Sequence, residues 1–118
     1  MPTNNVINLG LIESIPLGQG VCFIVHGEEI AVFRFRDGRI FAVANKCPHR
    51  QGPLAEGVIG NGKVICPLHG HKFDVQTGQG SEPHECVRVF KTWIDQGQIF
   101  LEYINPNQQP VRRDHALV

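Results

Sequence analysis

Two short segments of this 118-residue chain each carry one thiol and one imidazole at close spacing. In the first, Cys47 and His49 are separated by a single proline, and in the second, Cys66 and His69 are separated by two residues. Sixteen residues lie between the two segments. Cysteine and histidine at such short spacings are a pattern of metal sites, and packing alone rarely requires it. We therefore predict that these four side chains hold a metal centre.

The distribution of the ligands favours a [2Fe–2S] cluster over a zinc ion. Zinc sites of the finger type usually place two cysteines on one arm and two histidines on the other, whereas each arm here supplies one of each. One kind of cluster has an iron with two thiolates and an iron with two imidazoles, so a single loop can reach both irons. Zinc also accepts two cysteines and two histidines, so a zinc-stabilised interaction module stays open as an alternative.

The sequence around both pairs resembles the two cluster loops of the Rieske ferredoxin family. The first loop is Cys-Pro-His-Arg-Gln-Gly at 47–52, and the second is Cys-Pro-Leu-His-Gly-His-Lys-Phe-Asp at 66–74. With the flanking strand-like segments, the resemblance covers roughly residues 6–104. It implies that one [2Fe–2S] cluster is bound per chain. It also implies that the chain transfers electrons and has no catalytic site of its own.

In the same resemblance, Cys47, His49, Cys66 and His69 are the cluster ligands. Segments 51–59, 66–69 and 85–89 look most like the small subunit of the assimilatory NAD(P)H-dependent nitrite reductase, whose large subunit carries flavin and siroheme. The predicted role is thus that of an oxidoreductase subunit in nitrate assimilation, with the large subunit as redox partner. The alternative is the ferredoxin of an aromatic-ring dioxygenase system, whose partners would be a ferredoxin reductase and an oxygenase.

Four positions in the loops predict a low redox potential. High-potential members of the family carry an extra cysteine in each loop, and these cysteines form a disulfide. The matching residues here are Gly52 and Leu68. Those members also place a serine and a tyrosine hydroxyl near the cluster, and the matching residues are His71 and Phe73. Hydrogen bonds to cluster sulfurs raise the potential, so their loss implies a lower one.

Many short apolar segments between turn residues predict an all-β fold, an antiparallel sandwich or barrel. The thirteen glycines and eight prolines agree with this class. The resemblance adds a small cluster-binding subdomain at about 45–75. We expect one domain at 1–104, a turn of helix within 9–15, and a polar tail at 105–118. Strands are predicted at 20–25, 30–35, 40–44, 63–66, 73–76, 87–94 and 98–103.

Charge and hydropathy limit the partners and the compartment. Eleven basic and eleven acidic residues cancel, which gives no electrostatic case for nucleic acid or an anionic membrane. No apolar run approaches the length of a membrane span, and no signal peptide is evident, so we predict a cytoplasmic protein.

Several other side chains have expected places in this fold. Cys22 and Cys86 are predicted to be small buried residues, and Trp93 to belong to the core. His71 is expected to flank the exposed edge of the cluster, and His84 to lie on the surface.

Overall fold

Antiparallel strands form nearly all the regular structure in the described residues of the computed structural model, which are 5–47, 52–68, 70–82 and 85–104. The strands are β1 (Asn5–Leu11), β2 (Gln19–Val25), β3 (Glu28–Arg34), β4 (Ile40–Ala44), β5 (Val58–Gly60), β6 (Lys63–Ile65), β7 (Lys72–Asp74), β8 (Val89–Asp95) and β9 (Gln98–Tyr103). Single 3₁₀ turns lie at Ile12–Ser14 and Leu54–Glu56. Both are three residues long, so the helical segments described here could not span a bilayer. The predicted all-β class is confirmed.

The strands form two sheets. The larger has six strands in the order β1-β9-β8-β4-β3-β2, and the smaller has three in the order β5-β6-β7. Every pairing is antiparallel. The small sheet follows the first ligand loop in the chain, and the second ligand loop connects its last two strands.

Two tight turns set the register of the large sheet. His26 and Gly27 connect β2 to β3 with φ of 51° and 79°, and Val25 pairs with Glu28. Positive φ at both central residues is the geometry of a type I′ hairpin. The connection is therefore two residues shorter than the sequence predicted. The second turn, at Asp37 and Gly38, connects β3 to β4, and the carboxylate of Asp37 accepts the backbone N–H of Arg39 at 3.0 Å.

Several elements differ from the sequence prediction, among them β1 (Asn5–Leu11), which was not predicted. The expected helical turn occupies only Ile12–Ser14, because the residues before it pair with β9. Strand β5 was not predicted, and it is only three residues long. The strand predicted at 73–76 ends at Asp74, whose Oδ1 accepts the N–H groups of Gln76 and Thr77 at 2.8 and 3.0 Å. An aspartate that bonds the backbone ahead of it favours a turn over a continuing strand.

Two apolar cores lie on opposite faces of the central strands. Residues of β3 alternate between them, with Ala31 and Phe33 in the first and Ile30 and Val32 in the second. The first core joins the large sheet to the small one and contains Cys47, Cys66, Leu54, Val64 and Phe73. The second core is filled from β8, β9 and Ile15. The predicted ligand loops are thus anchored in one core only.

Cys22, Cys86 and Trp93 are not in either core, so these three predictions are wrong. Cys22 is exposed because it shares a face of β2 with the exposed Ile24, while Val21, Phe23 and Val25 on the other face contribute to the second core. Cys86 is also exposed. Trp93 is half-buried and stacks on Phe100 of the neighbouring strand, with ring centroids 6.0 Å apart.

Candidate metal centre

The first ligand loop begins where β4 ends. Cys47 is fully buried, and its backbone N–H donates to the carbonyl of Gly52 at 2.9 Å. Lys46 and Pro53 pair beside this bond as an isolated antiparallel bridge. A proline fits at position 53 because the hydrogen bonds lie on either side of this pair, from Cys47 to Gly52 and from Leu54 to Asn45. The pair itself therefore needs no N–H donor from Pro53. These contacts close the loop at its base and hold Cys47 inside the protein.

The second ligand loop begins where β6 ends. Cys66 is 2 % exposed, and its backbone N–H donates to the carbonyl of His71 at 2.7 Å. The carbonyl of Cys66 accepts the N–H of Gly70 at 3.0 Å. Gly70 has a φ of 74°, a backbone conformation that favours glycine. Both loops therefore use the backbone N–H of their cysteine to close a turn.

The two loops meet beside Cys66. A Cβ added to Gly52 would lie 3.1 Å from the Sγ of Cys66 and 2.8 Å from the Cγ of Leu68. Only a glycine fits there without pushing on its neighbours. Residues 52 and 68, where high-potential relatives were expected to carry a disulfide, are therefore adjacent. None of the four cysteines, all of which lie in described parts of the chain, forms a disulfide.

The described residues fit a cluster whose ligands include two thiolates. Cys47 and Cys66 belong to the same buried core, although they are 19 residues apart in sequence. Thiolates are soft ligands that suit iron–sulfur clusters. The close approach of Gly52 to Cys66 leaves the second sulfur beside the first loop. His49, His69 and His84 lie outside the described residues, so the roles given to them stay predictions.

One hydrogen-bonded pair near the second loop was not predicted from the sequence. The Nδ1 of His71 lies 2.8 and 3.0 Å from the two carboxylate oxygens of Glu85. The two side chains are only 20 % and 12 % exposed. The pair joins the second loop to the segment before β8. Fourteen residues separate the partners, and no local pattern connects residues that far apart.

Comparison with known proteins identifies the class to which this fold and these loops belong. A family model described as "Rieske [2Fe–2S] domain" matches residues 5–92. The chain therefore belongs to the Rieske [2Fe–2S] domain family. One [2Fe–2S] cluster per chain and a role in electron transfer follow from that membership.

Individual relatives differ in the systems they serve. The anthranilate 1,2-dioxygenase ferredoxin subunit of Burkholderia cepacia is 34 % identical over 77 % of this chain and 85 % of its own length. The 4β-methylsterol monooxygenase of Methylococcus capsulatus is 35 % identical over 78 % of this chain. The match spans only 23 % of that enzyme's length.

Solved structures share the fold. A chain described as the NADH-dependent nitrite reductase small subunit of Mycobacterium tuberculosis superposes with a TM-score of 0.81. It is 22 % identical, and the match covers 87 % of this chain and 98 % of the other. The ferredoxin of carbazole 1,9a-dioxygenase from Nocardioides aromaticivorans has a TM-score of 0.76 and 28 % identity, over 86 % and 99 % of the two chains.

Proposed function

We propose that Cys47, His49, Cys66 and His69 hold the cluster. The observation that carries this ligand set is the burial of both cysteines in one core, each at the start of a closed loop. In sequence, each is followed within three residues by a histidine. This arrangement supplies the two thiolates and two imidazoles that a Rieske cluster requires.

The cluster, when bound, supplies one-electron redox chemistry, and the chain sets its environment. Two neutral imidazoles in place of two thiolates reduce the negative charge of the centre, which raises its potential above that of an all-cysteine cluster. The N–H groups of Cys47 and Cys66 are engaged by loop carbonyls. They therefore stabilise the loops. Phe73 is fully buried in the same core and brings no hydroxyl to it. The missing hydroxyl favours a low-potential carrier.

The physiological role we propose is that of the small subunit of a cytoplasmic NAD(P)H-dependent nitrite reductase, in nitrate assimilation. Support comes from the resemblance of segments 51–59, 66–69 and 85–89 to that subunit. The exposed thiols of Cys22 and Cys86 suit a reducing compartment. The redox partner would be the large flavin and siroheme subunit.

A second candidate role is that of the ferredoxin of an aromatic-ring dioxygenase system. The anthranilate 1,2-dioxygenase ferredoxin subunit, 34 % identical over 85 % of its own length, favours it. Both roles use the same cluster, and they differ in which protein reduces it and which protein oxidises it.

Ligand replacement tests the proposed set. Iron and acid-labile sulfide should each number two per chain in the wild type. His49→Cys and His69→Cys should change the visible spectrum or lose the cluster, because thiolate differs from imidazole in charge and softness. His71→Ala should keep it. Loss of iron in the His71 variant together with retention in the His69 variant would reverse the assignment. A colourless protein that contains zinc would favour the interaction module.

Reconstitution tests the physiological role. The purified protein is mixed with a flavin and siroheme nitrite reductase large subunit, or with a ferredoxin reductase and a ring-hydroxylating oxygenase. The proposed role predicts that the chain stimulates nitrite-dependent NAD(P)H oxidation in the first mixture. Stimulation of oxygenase turnover in the second mixture alone would establish the ferredoxin role instead.

A further inference from the structure

Asn45 is the one buried polar residue identified in the described part of the chain, and it lies two positions before Cys47. It is 3 % exposed. Buried amides are costly unless they are hydrogen-bonded. The side-chain Oδ1 of Asn45 accepts the N–H of Ala55 at 2.8 Å, and its Nδ2 donates to the Oε1 of Glu29 at 3.0 Å. Its side chain thus joins two other segments of the protein.

The backbone of Asn45 makes the same two connections. Its carbonyl accepts the N–H of Leu54 at 2.7 Å, and its N–H donates to the carbonyl of Glu29 at 3.0 Å. Asn45 is therefore bonded twice to the 54–55 turn and twice to β3.

These four hydrogen bonds lie next to the base of the first ligand loop, where the chain enters and leaves it. Immediately after Asn45 in the chain, the Lys46–Pro53 bridge and the hydrogen bond from Cys47 to Gly52 close the loop. Asn45 pairs with Leu54 next to that bridge, and its bonds to Glu29 attach the base of the loop to the large sheet. The path of the chain from the end of β4 to Cys47 therefore depends on the hydrogen bonds of Asn45.

We propose that Asn45 is a positioning residue for the metal centre: its amide fixes the base of the loop that presents Cys47. The proposal rests on Cys47 being a cluster ligand. Metal ligands must be held close to their productive geometry by neighbours that are themselves locked by hydrogen bonds. Loss of Oδ1 leaves the N–H of Ala55 buried without that acceptor, and the loop must move to rehydrate it.

The test moves the side-chain amide from residue 45 to residue 29, so that the two hydrogen-bonding partners exchange their roles. In Asn45→Asp, one carboxylate oxygen still accepts from Ala55, while the other faces the carboxylate of Glu29. Adding Glu29→Gln restores a donor, since the new amide can give its N–H to the new carboxylate. The double variant should therefore recover what Asn45→Asp loses, and Asn45→Ala should remain impaired whether or not residue 29 is changed.

Two readouts are taken on each purified, cluster-containing variant. One is the shape of the electron paramagnetic resonance spectrum of the reduced protein. The other is the rate of iron loss to a chelator. We expect Asn45→Asp to broaden or shift the spectrum and to lose iron about tenfold faster, as the loss of one buried hydrogen bond would produce. The double variant should return both readouts to within about twofold of the wild type.

A matched control separates positioning from general stability. Ile99→Val removes a methyl group from the second core, which contains neither cysteine. It should lower resistance to denaturant by a similar factor and leave the spectrum and the rate of iron loss unchanged. If it matches Asn45→Asp in both readouts, or if the double variant shows no recovery, Asn45 has no positioning role.

The proposed ligand set is judged separately, on the wild type. A wild-type protein without a Rieske spectrum would contradict the ligand set, and the role of Asn45 would fall with it. A wild-type Rieske spectrum with normal spectra in all Asn45 variants would contradict the role of Asn45 alone.

Discussion

The contact between Gly52 and Leu68 predicts that a disulfide can be built across the two ligand loops. A Cβ at residue 52 would lie 2.8 Å from the Cγ of Leu68, the position that a cysteine sulfur would take. In a disulfide, the Cβ of one cysteine lies about 3 Å from the sulfur of the other, as its bond lengths require. The variant that combines Gly52→Cys with Leu68→Cys should therefore oxidise without rearrangement of the backbone.

The expected stabilisation follows from the loop that the bond closes. Residues 52–68 form a loop of roughly 17 residues, for which loop-closure entropy gives about 3 kcal/mol. The new Cβ would also sit 3.1 Å from the Sγ of Cys66. That crowding should cost about 1 kcal/mol, at the low end for overpacking. The net gain in the free energy of unfolding is therefore about 2 kcal/mol in the oxidised form.

Mass spectrometry after alkylation shows whether the bond forms, and guanidinium denaturation before and after thiol reduction gives its effect. The combination of Gly52→Ala with Leu68→Ala is the control, because it has the same backbone changes without sulfur. It should show no difference between oxidising and reducing conditions. If both engineered thiols remain open to alkylation after oxidation, the two loops do not lie as close as the structure places them.

Three further predictions concern single side chains. The wild-type midpoint potential should be on the order of −150 mV rather than +300 mV, and Phe73→Tyr should raise it by adding a hydroxyl to the core that holds both cysteines; voltammetry that finds no shift would contradict this. Burial and a hydrogen bond to Glu28 raise the pKa of Tyr103, the single tyrosine of the chain, above its ordinary value. Its contribution to stability is therefore present below about pH 10 and lost as the pH rises through the raised pKa, and Tyr103→Phe should abolish that part of the alkaline destabilisation. His71→Ala should retain iron and lower the free energy of unfolding by about 1–2 kcal/mol through loss of its bond to Glu85. Glu85→Gln should lower the free energy of unfolding by less, because its amide oxygen still accepts a hydrogen bond from the imidazole. Equal losses in the two variants, measured by denaturation, would argue against the bond between His71 and Glu85.

The parts of the fold that the sequence predicted well are those with local signals. Strand β4 runs from Ile40 to Ala44 as predicted, because it has an apolar run with a turn before it and the ligand loop after it. The strand predicted at 98–103 was also confirmed. Strand β1 escaped prediction because Asn5, Asn8 and Gly10 interrupt its apolar residues, and a register shift between Asn8 and Gly10 breaks its alternation.

The features that sequence did not reveal depend on contacts between distant segments. Cys22 is exposed because the described residues cover the opposite face of β2, and the apolar residues on both faces of β2 do not show which face is covered. The bonds from Asn45 to Glu29 and Ala55, like the pair between His71 and Glu85, appear only once separate segments have packed together. The two cysteine–histidine pairs could be recognised in the sequence because each spans only three or four consecutive residues.

The central claim is that two cysteines and two histidines, one of each per loop, ligate a single [2Fe–2S] cluster. Pulsed electron paramagnetic resonance of the reduced protein, with histidine labelled with ¹⁵N, tests it most directly. The account predicts couplings from two imidazole nitrogens that change with the label, persist in His71→Ala, and are altered in His49→Cys and His69→Cys. A reduced cluster without nitrogen coupling, or a protein that contains no iron, would contradict it.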